Sequence, residues 1–313
     1  MVSDAEKQHI PRGVLCGAGA GALWGLVFLA PALVSDFSPV QLAAGRYLAY
    51  GFMAAVLLAP RWTRALSMPG RKDWIALIWL SLLGNIVYYI LLSRAVQTGG
   101  IALTSLIIGF LPVAVTLIGT RDAHAPSVRS LVPSLCLCIA GTFCIGYQAF
   151  LSDSASPHTL QGVICAVGAL VSWTAYAVGN TRCLSRLHHI SVQDWNLLTG
   201  IVTGALSLVL LPVVLFVTTA HHSGARWLYF MGVSSAVALL ASICGNALWN
   251  KMSRLVPLTL VGQMILFETL FALIYGFVWE QRWPRLMEVV AFVLVTASVV
   301  LCLTAHKKKP ASS

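Results

Sequence analysis

The chain has 313 residues, 58% of them apolar and only 10% charged, with a mean hydropathy of +0.84. A water-soluble domain devotes about a quarter of its residues to charge, so this composition excludes a soluble surface and any separate aqueous catalytic domain. The net charge of +10 reads as cytoplasmic loops obeying the positive-inside rule, not as a nucleic-acid surface.

Met1 to Arg12 is polar, and the apolar run that follows lasts from Gly13 to Val34. That is longer than the roughly 7 to 15 residues of a cleaved signal h-region, so the first run is expected to stay as a span. Further runs fall at 39–59, 74–93, 101–119, 130–149, 160–180, 195–218, 227–249, 257–278 and 286–305. Their length predicts an all-α integral membrane protein of ten helices, since barrel strands would alternate polar and apolar residues over about ten positions. With the N-terminus cytoplasmic, fifteen of the 20 Lys and Arg lie on that side, four (Arg94, Arg226, Arg282, Arg285) lie opposite, and Arg46 lies inside the second run. This asymmetry places both termini in the cytoplasm. Trp62, Trp74, Trp195, Trp227, Trp279 and Trp283 sit at span ends, where an interfacial belt is expected.

The chain repeats itself. Gly21-Ala22-Leu23-Trp24 is echoed by Gly168-Ala169-Leu170 with Trp173; Gly84-Asn85 with Tyr88 is echoed by Gly245-Asn246 with Trp249; Ser93-Arg94 is echoed by Ser253-Arg254. The shared order divides the chain into five-helix repeats at 13–150 and 159–306. Five is odd, so the second copy enters the membrane from the opposite side. Inverted halves meeting near the midplane are a construction of secondary transporters.

Together, Ala22-Leu23-Trp24-Gly25, Gly45-Arg46-Tyr47-Leu48, Gly84-Asn85, Ile107-Ile108-Gly109, Leu111-Pro112-Val113 and Phe267-Glu268-Thr269 resemble the EamA-type branch of the drug/metabolite transporter superfamily, over nearly the whole chain. The resemblance implies two bundles around a central cavity lined by helices 1, 3, 4, 6, 8 and 9, in a bacterial inner membrane. It also implies carriage of small metabolites, commonly export of amino acids or related compounds. Many relatives end helices 4 and 9 with Gly-Glu, whereas here the ends read Gly119-Thr120-Arg121-Asp122 and Gly276-Phe277-Val278-Trp279-Glu280. That departure blocks the transfer of a substrate from better-known exporters.

Glu268 is the one acidic residue placed deep in a span. An ionised carboxylate there must face the bundle interior, find a partner or be protonated, so it is a candidate for a substrate amine or for proton coupling, against a purely structural carboxyl. Arg46 is expected to be a structural charge that snorkels, bridges helices or pairs with Glu268. Asn85 and Asn246 are candidates for substrate contact and equally for interhelical bonds, and Asn250 is another interhelical candidate. Trp24, Trp173, Tyr88 and Trp249 are candidate cavity walls able to hold an apolar or cationic substrate, against ordinary packing. Pro112 removes a backbone donor beside Gly109, which makes a flexing point or a passive kink. Gly17-x-Gly19-x-Gly21 supplies small residues for close helix contact and is no nucleotide loop.

The eight cysteines form no CxxC pair and read as small hydrophobes, and His9, His124, His158, His188, His189, His221, His222 and His306 read as loop or tail residues. No metal or cofactor is expected. The partners expected are a small-molecule substrate and membrane lipid. The leading function is a secondary transporter, an exporter of a small organic metabolite working by alternating access. A membrane-embedded enzyme acting on a lipid-linked substrate would need a nucleophile, acid/base pair or metal at one depth, and a passive channel would need a continuous polar file.

Overall fold

The computed structural model describes residues 4–29, 33–34, 36–122, 125–150, 159–217, 222–281 and 283–307. His124, His158, His221, Arg282, Lys308 and Lys309 lie outside these. Every regular element among the described residues is helical: α1 (Asp4–Gly25, continued by a 3-10 turn Leu26–Leu29), α2 (Pro39–Leu58), α3 (Trp62–Ser67), α4 (Arg71–Ser81), α5 (Tyr88–Ile108), α6 (Leu111–Gly119), α7 (Val128–Phe150) and α8 (Thr159–Arg186). There follow α9 (Val192–Val217), α10 (Gly224–Val237), α11 (Asn246–Leu255), α12 (Leu258–Met264), α13 (Leu266–Glu280) and α14 (Leu286–Lys307). Six helical stretches are long and apolar enough to cross a membrane: Val40–Ser67, Arg71–Leu92, Leu160–Arg186, Val192–Pro212, Gly224–Leu255 and Leu286–His306. Val128–Cys144 and Leu258–Ala272 are shorter apolar helices. Bulky apolar side chains such as Phe52, Trp79, Val209 and Leu228 stand outward over this surface, which suits hydrocarbon and not water.

Local signals explain the starts. Ser38 caps α2 reciprocally, its Oγ accepting from Gln41 N (3.2 Å) and its own N–H donating to Gln41 Oε1 (2.8 Å), with Pro39 at the first turn. Ser191 accepts from Asp194 N at the head of α9, and Ser223 from Arg226 N at the head of α10.

Some sequence boundaries move. No helical break separates the runs expected at 74–93 and 101–119, because α5 continues through Gly99 and Gly100. In an apolar setting an unpaired peptide group costs more than a glycine in a helix. The break falls instead at Gly109 and Phe110, before Pro112 near the start of α6. The run expected at 257–278 is divided at Ile265. Two π-helical turns, Leu82–Val87 between α4 and α5 and Ala238–Gly245 between α10 and α11, lie inside helices expected to be regular. Trp195 is no interfacial belt residue: it is fully buried and its indole N–H donates to Asn180 Oδ1 (2.9 Å).

The chain folds back on itself through reciprocal contacts. Ser134 Oγ donates to Ser298 O (2.8 Å) while Ser298 Oγ donates to Ser134 O (2.7 Å), joining α7 to α14. Gly51 of α2 and Gly204 of α9 meet likewise, since a Cβ on either would stand 2.7 Å from the other's Cα. Helix α1 lies along α12 and α13 on a stripe of glycines: Gly17 faces Met264, Gly21 faces Phe267 and Glu268, and Gly25 faces Ala272. A four-residue spacing puts all three on one helix face and lets the backbones approach closely.

Candidate functional site

The stripe brings the end of α1 to the centre, where Trp24 meets Trp249 of α11 (ring centroids 4.9 Å apart) and Trp173 of α8 (6.2 Å, edge to face). Trp173 and Trp249 are 5.7 Å apart, and Tyr88 and Tyr176 complete the cluster around Trp173. Trp24 and Trp173 are each 8% exposed and Trp249 1%, so the rings pack on one another and fill the space between the helices that carry them. Four aromatic candidates from the sequence are thus brought together; Tyr176 was missed, though it follows Trp173 by three residues on the same helix face.

The polar groups are engaged between helices. The Trp24 indole N–H is shared between Ala241 O (3.1 Å) and Asn246 Oδ1 (3.2 Å). Asn85, inside the first π-turn, donates to Thr203 Oγ1 of α9 (3.2 Å). Asn250 accepts from Asn180 Nδ2 (2.8 Å). Ser172 donates to Leu83 O of the first π-turn (2.8 Å), the counterpart of Trp24 on Ala241 O of the second. The Trp249 indole N–H is buried without a hydrogen-bond acceptor.

Glu268 stands in the first turn of α13, partly buried, directly behind Gly21. Among the described residues no ion pair joins it to Arg46. Arg46 turns to the second π-turn, its Nε donating to Ser242 Oγ (3.1 Å) and its guanidinium lying over the Tyr47 ring. Gly109 and Pro112 belong to a different seam: Gly109 O accepts from Thr142 Oγ1 (3.3 Å), and α6 packs on α12 so closely that a Cβ on Gly262 would stand 2.8 Å from Pro112 O. An apolar crevice lined by Leu23, Val27, Leu33, Val237 and Leu240 opens beside Trp24.

Three of the histidines expected in loops or tails depart from that reading, the first being His9, which lies within α1. His306 lies within α14; its Nδ1–H donates to Cys302 O (2.7 Å), which leaves Nε2 to accept from Thr259 Oγ1 (2.6 Å). His222 stacks on Phe37 (4.0 Å) and its Nδ1 pairs with Asp36 Oδ2 (3.3 Å). Asp36 also receives the Arg226 guanidinium on both oxygens. The Arg226 hydrogen bonds and charge hold the Asp36 carboxyl down at about 2.

The EamA-like transporter family model matches the chain twice, over residues 11–147 and 160–304. The chain is 32% identical over 313 residues to the Inner membrane protein YtfF of Escherichia coli (strain K12), covering 95% of this chain and 97% of that one. It also shares its fold with a solved protein crystal structure at a TM-score of 0.75 and 19% identity, covering 94% of this chain and 98% of that one. A double match and a full-length relative place it without ambiguity: the chain belongs to the EamA-like transporter family of the drug/metabolite transporter superfamily.

Proposed function

We propose that the protein is a secondary transporter of the bacterial inner membrane that exports a small organic metabolite, of the amino-acid type or related to it, by alternating access between two inverted five-helix repeats, 13–150 and 159–306. The observation that carries this reading is the reciprocity of the inter-half contacts. Ser134 and Ser298 exchange hydrogen bonds, Gly51 and Gly204 exchange close contacts, and Leu83 O and Ala241 O are each held by a side chain from the other half. Exchanged contacts are the mark of a two-fold relation, and two inverted halves can open to either side at similar energy. The alternation of sides is supported by the ion pairs: Arg61 with Asp194, Arg182 with Asp122 and Arg186 with Asp73 join loops expected on one side, and Arg226 with Asp36 joins loops expected on the other.

The conformation here has the tryptophans in contact, so substrate binding parts Trp24, Trp173 and Trp249 and exposes their faces. Glu268 and Asn85 are the central polar contacts, with Asn246 and Tyr88 beside them, and Gly109 with Pro112 flexes as the halves rock. A substrate shifts the two access states only by its differential affinity for them, and protonation of Glu268 is the coupling step. The test is counterflow of labelled amino acids, amines, sugars and nucleosides in proteoliposomes. An exchanger accelerates it, an enzyme alters the solute, and a channel does neither. Glu268→Gln is expected to flatten the pH dependence of flux; an unchanged pH profile rejects the coupling role.

A further inference from the structure

The second π-turn, Ala238–Gly245, is gripped from three helices. Trp24 of α1 donates to Ala241 O, Arg46 of α2 to Ser242 Oγ, and Asn196 of α9 donates through Nδ2 to Ile243 O (2.9 Å). Asn196 is 1% exposed. It also accepts the Tyr50 hydroxyl on its own carbonyl (2.7 Å) and on Oδ1 (2.8 Å), and Tyr50 lies beside the Asn246 side chain. The donors therefore close a circuit around one turn of backbone: Trp24, Asn246, Tyr50, Asn196 and back to Ile243.

The backbone at the end of this turn does not choose its own register. The N–H of Asn246 is shared between Ala241 O, five residues back, and Ile243 O, three residues back. A π-turn holds one residue more than the α-helix on either side, and each residue of an α-helix turns the chain by about 100°. If the extra residue leaves the turn, everything beyond it rotates by about that angle relative to everything before. Asn246 and Trp249 would then swing away from Trp24, which now sits 4.9 Å from Trp249. The side chain that holds Ile243 O decides which register persists.

We propose that Asn196 is a positioning residue of the tryptophan site, acting through the π-turn: by holding Ile243 O it keeps the turn wide and thereby fixes the rotational setting of Asn246 and Trp249 against Trp24. The transport consequence rests on the function proposed above; the register consequence stands by itself.

The experiment uses the full-length protein in nanodiscs and reads the exciton couplet of the packed tryptophans in circular dichroism, alongside helical content in the far ultraviolet. Asn196→Leu keeps the branched outline of the side chain and removes the amide, and is expected to abolish the couplet. Tyr50→Phe removes a bond to Asn196 but leaves Ile243 O held, and is expected to keep it. Deleting Leu240, an outward-facing residue of the turn, removes the extra residue and makes the helix regular with its flanking faces preserved. In that background Asn196→Leu is expected to leave the couplet intact, because no wide turn remains to be held. Retention of the couplet in Asn196→Leu alone overturns the proposal, and so does equal loss with and without the deletion. Should Asn196→Leu alone lose its helical content, recovery in the deletion background supports the proposal and failure to recover overturns it. Counterflow of the same variants reconstituted in proteoliposomes separates the two readings: a wild-type protein that exchanges no solute rejects the transporter reading and leaves the couplet result standing.

Discussion

Alanine at Gly21 would set a Cβ 2.6 Å from Phe267 Cβ and 2.7 Å from Glu268 N, against the 3.4 Å at which ordinary contact begins. The obstacles are backbone and Cβ atoms, which no rotamer change can move, so α1 must retreat from α13 by roughly 1 Å, and a gap of about that size forfeits a quarter to a half of each contact's dispersion energy. The loss extends along the stripe to Gly17 and Gly25. Overpacking of this kind costs about 1 to 3 kcal/mol, or roughly a 5- to 150-fold change in the folded-to-unfolded ratio. The same retreat displaces Glu268, so transport is expected to fall more steeply than stability. Two controls bracket the effect: a Cβ on Gly19 meets only the end of the Leu248 side chain at 3.0 Å, and one on Gly232 meets nothing within 4 Å. Titration with SDS, followed by loss of helical signal, reads the stability of all three variants. If Gly21→Ala unfolds within about 0.5 kcal/mol of Gly232→Ala, a difference typical of surface changes, close backbone packing does not hold α1 against α13.

Trp24→Phe keeps a ring in the cluster but leaves Asn246 Oδ1 without the indole donor and Ala241 O with only its share of the Asn246 N–H, and should cost about 1 to 3 kcal/mol, visible as an earlier SDS midpoint; an unshifted midpoint would show the bond to be idle. Arg254 gathers the carbonyls of Leu184, Leu187 and Ile190 at the end of α8 (3.1, 2.7 and 2.6 Å). Arg254→Ala should therefore destabilise clearly more than Arg254→Lys, whose point charge replaces only part of the planar fork; equal midpoints for the two would contradict this. The Asp36 carboxyl, held at about 2 against an ordinary 3.8, contributes stability that is fully present above the ordinary value and lost as pH falls through about 2. The melting-temperature difference between wild type and Asp36→Asn should thus be constant above about pH 4 and close toward pH 2. It should also shrink with salt, since the pair is exposed, and a difference that survives at pH 2 would place the effect elsewhere.

Helical membrane character and the internal echo were legible in the chain because they depend on hydropathy and on residue order, which are local and one-dimensional. Trp24, Trp173, Trp249 and Tyr88 were legible as a group for a related reason: aromatics at matching places in two halves are unlike chance packing. The π-turns were not, although the first contains and the second ends on a Gly-Asn pair that the repeat had marked, because a widened turn is stabilised by donors from other helices. Asn196 and Tyr50 stayed hidden for the same reason, since nothing in the residues around them announces a partner some 146 positions away.

The amino-acid composition alone determined that this protein lives in a membrane, since 10% charged residues cannot cover a soluble surface, and the sequence marked Gly17, Gly19 and Gly21 for close contact, of which Gly17 and Gly21 lie on the stripe with Gly25 while Gly19 faces Leu248. Only the tertiary structure decided that Arg46 turns to Ser242 and not to Glu268, that Trp195 is buried on Asn180, and that His306 is tied to Thr259. Each of these is a choice of hydrogen-bonding partner, and partners are set by which helices become neighbours, a property of the packed whole.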